Sequence, residues 1–402
     1  MKRRVLYICS LLSDQLIEKR HLRPMANTCF GRLVPTLRAC REVGVNVWAI
    51  SLGRSRQRSS CRWHSATVSR IEGVPVVFAT YWDCPVLTHV ITMCSLGLIV
   101  WRLRRRTGTV VFYNAIPHYA LAFLAVLASG AHCVLDLEDG IRSDLKDIKS
   151  RIGGRLVSIW DRASIGAMVA NSRLHEQIGT RPAYCFYGVA REMSIARHWD
   201  HTLQVLFSGF LSPETGARIF IDALLTLKEE ALDALSCFHF VVVGEGSLAP
   251  EIREVVANRL SAHVEYLGRV SDCQYHHLLR RSHIGLCLKM PDHSFGQTTF
   301  PSKVIEFAAW GLLVVSSRVS DVPLLFSEDS AYLLDEATPE CLGRVLLEIA
   351  RRRGDAKSRA EKGQATITER LNPHVVATEL GNLWQAFPTR EAASANRLEL
   401  TR

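Results

Sequence analysis

Apolar runs with the composition of β-strands alternate with helical stretches from the first residues of this chain, and that alternation constrains the fold more than any other feature. RVLYICSLL is followed by the helix-like RLVPTLRACREVG and then by VNVWAISLG; further strand-like runs stand at GVPVVFAT, TVVFYNAI, AHCVLDLED and GAMVANS. Such an order predicts βαβ units and a parallel sheet. A second series begins near residue 203 with LQVLFSGF and continues through FHFVVVGEG, HVEYLGRV, HIGLCLKM and LLVVSS. The chain has 402 residues, more than one core usually holds. The expected fold is therefore α/β, with two Rossmann-like doubly wound parallel-sheet domains, residues 1–198 and 199–372, joined near the polar stretch SIARHWDHT; residues 373–402 form a C-terminal segment.

Composition narrows the class of partner. Hydrophobic residues make up 48% of the chain and charged residues 22%, as in a globular protein. Lys and Arg number 49 against 39 Asp and Glu, a net charge of +10 that favours phosphate-rich partners or an anionic membrane surface. No basic stripe interleaved with aromatic residues appears, so nucleic acid is not an expected partner. The 12 cysteines include no C-x-x-C, and several sit in apolar runs, which predicts reduced core residues of a cytosolic protein. MKRRVLYICSLL reads as a first strand, because its apolar run ends quickly at Ser13 and Asp14. The block VLTHVITMCSLGLIVW, residues 86–101, is too short and too interrupted to span a bilayer of ~30 Å. It is followed at once by Arg102, Arg104, Arg105 and Arg106. Two readings stand for it: a buried helix of an α/β layer, or a helix lying in the membrane interface with its arginines toward anionic headgroups.

In open parallel sheets ligands bind beyond the carboxyl ends of the strands. Residues of suitable type recur there: Gly31 before the first long helix, Asp136, Glu138, Asp139 and Gly140 after one strand, Ser208 and Gly209 after another, and Gly244, Glu245 and Gly246 after a third. A glycine after a strand ordinarily just makes the turn; the repetition at strand ends is the stronger signal.

The segment TTFPSKVIEFAAWGLLVVSS, residues 298–317, carries the sharpest local pattern. Pro301 is suited to the first position of a helix, which would leave the amides of Ser302 and Lys303 free to attract an anion. Helical spacing puts Lys303, Glu306 and Trp310 on one stripe and Val304, Ile305, Ala308 and Leu312 on another that faces a core. Gly311 ends the helix, and LLVVSS is a buried strand. Taken alone, Lys303 and Glu306 read as an ordinary surface ion pair, and the rest of the chain must change that reading.

In order, LFSGFLSPETGARIFIDALLTL, FVVVGEGSL, VEYLGRVSDCQYHHLLRRSHIGLCL and FPSKVIEFAAWGLLVVSS resemble the nucleotide-sugar-dependent glycosyltransferases of the GT-B fold, particularly family 4 and its relatives. The resemblance implies two domains facing a cleft, with the C-terminal TELGNLWQAF packed back on the first domain and a frayed tail from Thr389. It implies that Glu306 holds ribose hydroxyls and that the loop from Gln297 through Thr298 to Ser302, with Lys303, meets the diphosphate. Gly209, Gly244, Glu245 and Gly246 would complete the donor side, and Gly31 the acceptor side. Asp139 is the preferred acceptor-activating residue, with Glu138 beside it and His118 as a further catalytic candidate. Against the family pattern, Thr298 stands where another carboxylate is usual, and Phe210 and Thr215 stand where a basic pair is common.

The resemblance further implies a transferase retaining anomeric configuration, in which the leaving diphosphate helps take the acceptor proton and no protein nucleophile is needed. The donor would be a nucleotide-diphosphate sugar and the acceptor a lipid-linked or polysaccharide intermediate, in polysaccharide assembly at the cytoplasmic face of a membrane. No cofactor is expected beyond the donor itself, and no essential metal, because no Asp-x-Asp stands at a strand end and no His/Cys cluster has metal spacing. A nucleotide-sugar epimerase of the same fold, or a non-catalytic protein that has kept the fold, are the alternatives.

Overall fold

The structure, a computed structural model, describes residues 4–22, 28–54, 62–84, 87–140, 148–179, 182–193, 195–291, 296 and 298–386. The chain divides into two compact units, Met1–Val189 with Pro373–Arg402, and Ala190–Asn372. Gln297 and the tail from Thr389 lie outside the described residues.

The first unit is built on an eight-stranded sheet. Its strands are β1 (Arg4–Cys9), β2 (Val47–Ser51), β4 (Thr67–Ile71), β5 (Val74–Phe78), β7 (Thr107–Tyr113), β8 (His132–Leu137), β9 (Gly166–Val169) and β10 (Ala183–Cys185), in the order β10-β9-β8-β7-β1-β2-β5-β4. Every pairing is parallel except that of β4 with β5. A small antiparallel pair, β3 (Trp63–His64) and β6 (Tyr81–Trp82), stands apart from it. The central strands are buried on both faces, as in Val5–Cys9 and Val110–Tyr113, which is why they read as continuous apolar runs and not as alternating ones. The C-terminal helix Pro373–Ala386 belongs to this unit: Trp384 is buried edge-on to Tyr7 at 6.1 Å, and its carbonyl accepts from Thr109 Oγ1 at 2.7 Å.

The second unit has a six-stranded, wholly parallel sheet. Its strands are β11 (Leu203–Ser208), β12 (Phe238–Val243), β13 (Val264–Gly268), β14 (Ile284–Cys287), β15 (Leu313–Ser317) and β16 (Tyr332–Leu334), in the order β13-β12-β11-β14-β15-β16. Numbered within the unit this is 3-2-1-4-5-6, the doubly wound order whose ligand crevice lies where the winding reverses, here between β11 and β14. The central six strands of the first unit, β5-β2-β1-β7-β8-β9, have the same order, with the reversal between β1 and β7.

The division falls at Val189, upstream of the expected boundary at residue 198, because the connecting segment is tied into the second unit. Ala190 N donates to Leu371 O at 2.8 Å, Met193 N to Ala309 O at 3.0 Å, and Arg197 Nε to Ser282 O at 2.7 Å. The helix Leu87–Leu103 is in contact with the helix Ala120–Ser129. A Cβ on Gly97 would sit 2.9 Å from Leu121 Cβ, so a glycine is what lets the two approach. Its other face leaves Leu87, Val90, Leu98 and Trp101 exposed, with the Arg104 guanidinium 3.7 Å over the Trp101 ring. No described helix is long and apolar enough to cross a membrane.

Candidate functional site

The strongest constellation lies at the reversal point of the second unit. After β14 the chain enters the helix Lys303–Ala309, which begins later than Pro301; Ser302 N is not free but donates to Phe300 O at 3.0 Å. The anion-receiving pair of amides expected at Ser302 and Lys303 is therefore reduced by one. The core stripe is as expected: Val304, Ile305, Ala308 and Leu312 are buried, and Gly311 turns the chain at φ 75°. Phe307 packs so close to β14 that a Cβ on Gly285 would lie 2.3 Å from its ring, which seats the helix against the sheet.

On the opposite stripe, Lys303 Nζ lies 2.7 Å from Glu306 Oε2 and 2.6 Å from the Tyr275 hydroxyl, which in turn donates to the same Glu306 oxygen at 2.8 Å. With its one proton committed to Glu306, the Tyr275 hydroxyl is left to accept from Ser208 Oγ, 3.2 Å away at the end of β11. The network thus joins the two strand ends that flank the reversal point. Both charged side chains remain about one-third exposed, 36% for Lys303 and 33% for Glu306. Both inward partners go to Oε2, and Oε1 of Glu306 has no hydrogen-bond partner among the described residues. Burial alone would lower the Lys303 ammonium pKa; the Glu306 charge and the Tyr275 hydroxyl reverse this and raise it, so the lysine is a fixed cation. Burial raises the Tyr275 hydroxyl, which stays protonated. Burial likewise pushes the Cys287 thiol up to about 12, so it is not a nucleophile here.

Tyr275 is the residue that sequence reasoning missed. It sits in the helix Asp272–Arg281, started by a Ser271/Gln274 capping box, and shares an inward stripe with buried Leu279. At i and i+4 such a tyrosine reads as a core residue, and only folding brings its hydroxyl to Lys303. Trp310, expected on the Lys303 stripe, stacks on His276 of that same helix at 5.5 Å, with Arg280 5.9 Å from its ring.

The other donor-side residues answer first to chain crowding. Gly244, at φ 135°, could not carry a Cβ, which would fall 1.8 Å from Gly209 O; a Cβ on Gly246 would fall 2.2 Å from Leu211 O. Glu245 is exposed, and its carbonyl accepts from Leu211 N at 2.9 Å. Thr298 and Thr299 are buried, and Lys289 Nζ bonds Thr299 Oγ1. Ser302 is exposed beside them. Thr215 is used structurally: its hydroxyl lies 2.6 Å from Phe210 O and 3.0 Å from Ser212 O and accepts from Ser212 N at 3.1 Å. Phe210 itself is 64% exposed.

In the first unit, Gly31 lies within the helix Thr28–Glu42 and not in a loop before it, and among the described residues nothing stands within 4 Å of where its Cβ would be. The next residue organises the strand ends. Arg32, buried, binds Asp136 at 3.0 Å, Glu138 at 2.8 Å and Phe186 O at 3.1 Å, and the Tyr7 hydroxyl bonds Asp136 from the other side. Burial works against the charge on Arg32, but Asp136 and then Glu138 more than offset it and raise its pKa. Glu138 is thus held in an ion pair. Asp139 is exposed and accepts from Asn114 Nδ2 at 3.0 Å, while Asn114 Oδ1 receives the amides of Glu138 and Asp139 at 2.8 and 3.1 Å. Asn114 does this from a left-handed backbone, φ 59°, which asparagine tolerates better than most residues. His118 pairs instead with Arg54 and His89.

Residues 202–352 match the family described as Glycosyl transferases group 1. An uncharacterized glycosyltransferase of Methanocaldococcus jannaschii is 24% identical over 228 residues, spanning 55% of this chain and 60% of that relative. Among solved structures, Anabaena HepE in complex with UDP superposes with a TM-score of 0.68 at 13% identity, covering 95% of this chain and 100% of that one. Sucrose-phosphate synthase of Thermosynechococcus elongatus gives 0.67 at 12% identity, covering 96% and 99%. The Lys303–Glu306–Tyr275 network lies inside the matched region. Residues 202–352 of the second unit thus resemble the glycosyl transferases group 1 family, and the chain has the GT-B fold of these structures.

Proposed function

We propose that this chain transfers a sugar from a nucleotide-diphosphate sugar to an acceptor, with the donor bound over Lys303, Glu306 and Tyr275. The observation that carries the reading is the open Oε1 of Glu306, on a carboxylate whose other oxygen is held by Tyr275 and Lys303 at the reversal point of a doubly wound sheet. A carboxylate oriented in this way can accept ribose hydroxyls, and the adjacent ammonium can neutralise the diphosphate as it departs. With Phe210 and Thr215 supplying no charge, Lys303 carries more of that task here than the family pattern assigns it.

Retention of configuration is part of the proposal: the departing diphosphate takes the acceptor proton on the face it leaves, so the protein contributes position and charge and no nucleophile. Asp139, held by Asn114, is the side chain we assign to orient the acceptor hydroxyl in the first unit. A phosphorylated, lipid-linked or polysaccharide acceptor at an anionic membrane surface fits the +10 charge and the exposed Arg102, Arg105 and Arg106 beside Trp101.

The test is release of nucleoside diphosphate from a panel of nucleotide sugars, with and without acceptor extracts. Turnover that requires acceptor and is lost in Glu306→Ala supports transfer. Binding without turnover replaces this reading with the non-catalytic one, and conversion of the sugar without release replaces it with the epimerase one. Sedimentation with anionic vesicles, compared with a form neutralised at Arg102, Arg104, Arg105 and Arg106, tests the membrane part; unchanged binding refutes it.

A further inference from the structure

Three nitrogen-bearing side chains of the first unit converge with no carboxylate beside them among the described residues. Arg54 Nη2 lies 2.5 Å from His118 Nε2 and 3.1 Å from His89 Nδ1, and the two imidazole nitrogens are 2.6 Å apart. Two of the three stand beyond the carboxyl ends of strands that pair parallel with β1. Arg54 follows β2, His118 lies in the Pro117–Tyr119 turn that follows β7, and His89 is in the first turn of the helix Leu87–Leu103. Neither that helix nor that turn carries an acidic residue at its start. Among the described residues no carboxylate lies within 4 Å of Arg54, His89 or His118.

Such convergence is unfavourable in the free protein. Burial and the Arg54 charge, with His89, hold His118 down to about 4, and burial lowers Arg54 and His89 as well. Among the described residues, the fields acting on Arg54 include Tyr81 but no carboxylate, whereas Asp83 acts on Tyr81. Proteins ordinarily pair a half-buried arginine with an anion. Whichever tautomers the two imidazoles take, at most two of the three contacts can be hydrogen bonds, whereas an anion with several acceptor oxygens would let each group donate separately.

We propose that Arg54, His89 and His118 form a binding site for a phosphate group. Taking the transferase reading above as its basis, that phosphate belongs to the acceptor substrate. The phosphate oxygens accept from the guanidinium and from both imidazoles, which take up protons as they close on it. His118 is then an acceptor-binding residue and not the proton-abstracting base. The chemistry is the same for a soluble phosphorylated sugar and for a lipid phosphate.

The experiment follows the histidine ring nitrogens of the full chain by long-range 1H–15N NMR during titration with inorganic phosphate. A saturable response of His89 and His118 is expected, with affinity reduced at least about tenfold in Arg54→Gln, the loss for one charge-assisted hydrogen bond. His118→Gln serves as a second variant, and circular dichroism checks that each is folded. Glycerol 3-phosphate competing at the same nitrogens identifies a soluble phosphorylated acceptor. A response to phosphatidic acid in phosphatidylcholine vesicles, absent with phosphatidylcholine alone, identifies a lipid one. No histidine response to phosphate, or a response that folded Arg54→Gln leaves unchanged, overturns the site. Calorimetric UDP binding, run in parallel, reports on the donor reading alone, so phosphate failing while UDP binds refutes only this inference.

Discussion

Replacing Tyr275 by phenylalanine isolates what the hydroxyl does, because the ring that packs beside Lys303 is retained. The substitution deletes the bond to Glu306 at 2.8 Å and the one received from Lys303 at 2.6 Å. Hydrogen bonds to charged groups are worth about 1.5–3 kcal/mol each. Here the two partners keep each other at 2.7 Å and are one-third exposed, so water refills the vacated positions and the cost falls at the low end. We expect about 1.5 kcal/mol, felt as loss of the orientation of Glu306, and hence about a tenfold weaker nucleotide dissociation constant. Isothermal titration of wild type and Tyr275→Phe with UDP measures it, and a Ser208→Ala control, which removes only the outer donor at 3.2 Å, loses less. An unchanged affinity in folded Tyr275→Phe refutes the claim that this hydroxyl sets the carboxylate for its ligand.

Arg32→Met breaks a buried ion pair by removing one partner and leaves Asp136 uncompensated; about 3–5 kcal/mol of stability is lost, read as a large drop in melting temperature. Gly244→Ala forces a Cβ toward Gly209 O from a backbone at φ 135°, so it yields little folded protein or a strongly lowered melting temperature, whereas Gly31→Ala, with open space at its Cβ, is tolerated. The His118 pKa is depressed from 6.5 to about 4 by burial, Arg54 and His89, so the unfolded chain binds the proton first. Stability therefore declines as pH falls from 6.5 toward 4, and denaturation of His118→Gln across that window shows a shallower decline.

The fold was legible because central parallel strands are buried on both faces and must be written as apolar runs, as FHFVVV and LVVSS are. The strands that escaped were exposed at the sheet edge or very short. β4, TVSRI, is an edge strand with exposed positions, and β3, β6, β10 and the buried edge strand β16 have only two or three residues, too few for a pattern. The candidate site was legible to the extent that it is local: Lys303 and Glu306 are three residues apart on one helix. Tyr275, 31 residues before Glu306, and the Arg32–Asp136 pair, separated by 104 positions, exist as neighbours only once the strands have docked. The same holds for Arg54, whose partners lie 35 and 64 residues away. Glu138 illustrates the converse: a carboxylate at the right strand end that folding commits to an arginine.

The central claim is that Glu306 receives the nucleotide portion of a donor. Calorimetric titration of the full chain with a panel of nucleoside diphosphates and nucleotide sugars, repeated on Glu306→Ala, tests it most directly. The account predicts selective binding by the intact protein, weakened at least about a hundredfold in the variant by loss of two hydroxyl contacts to a charged group. Folded wild-type protein that binds no nucleotide, or binding that survives in Glu306→Ala, contradicts it.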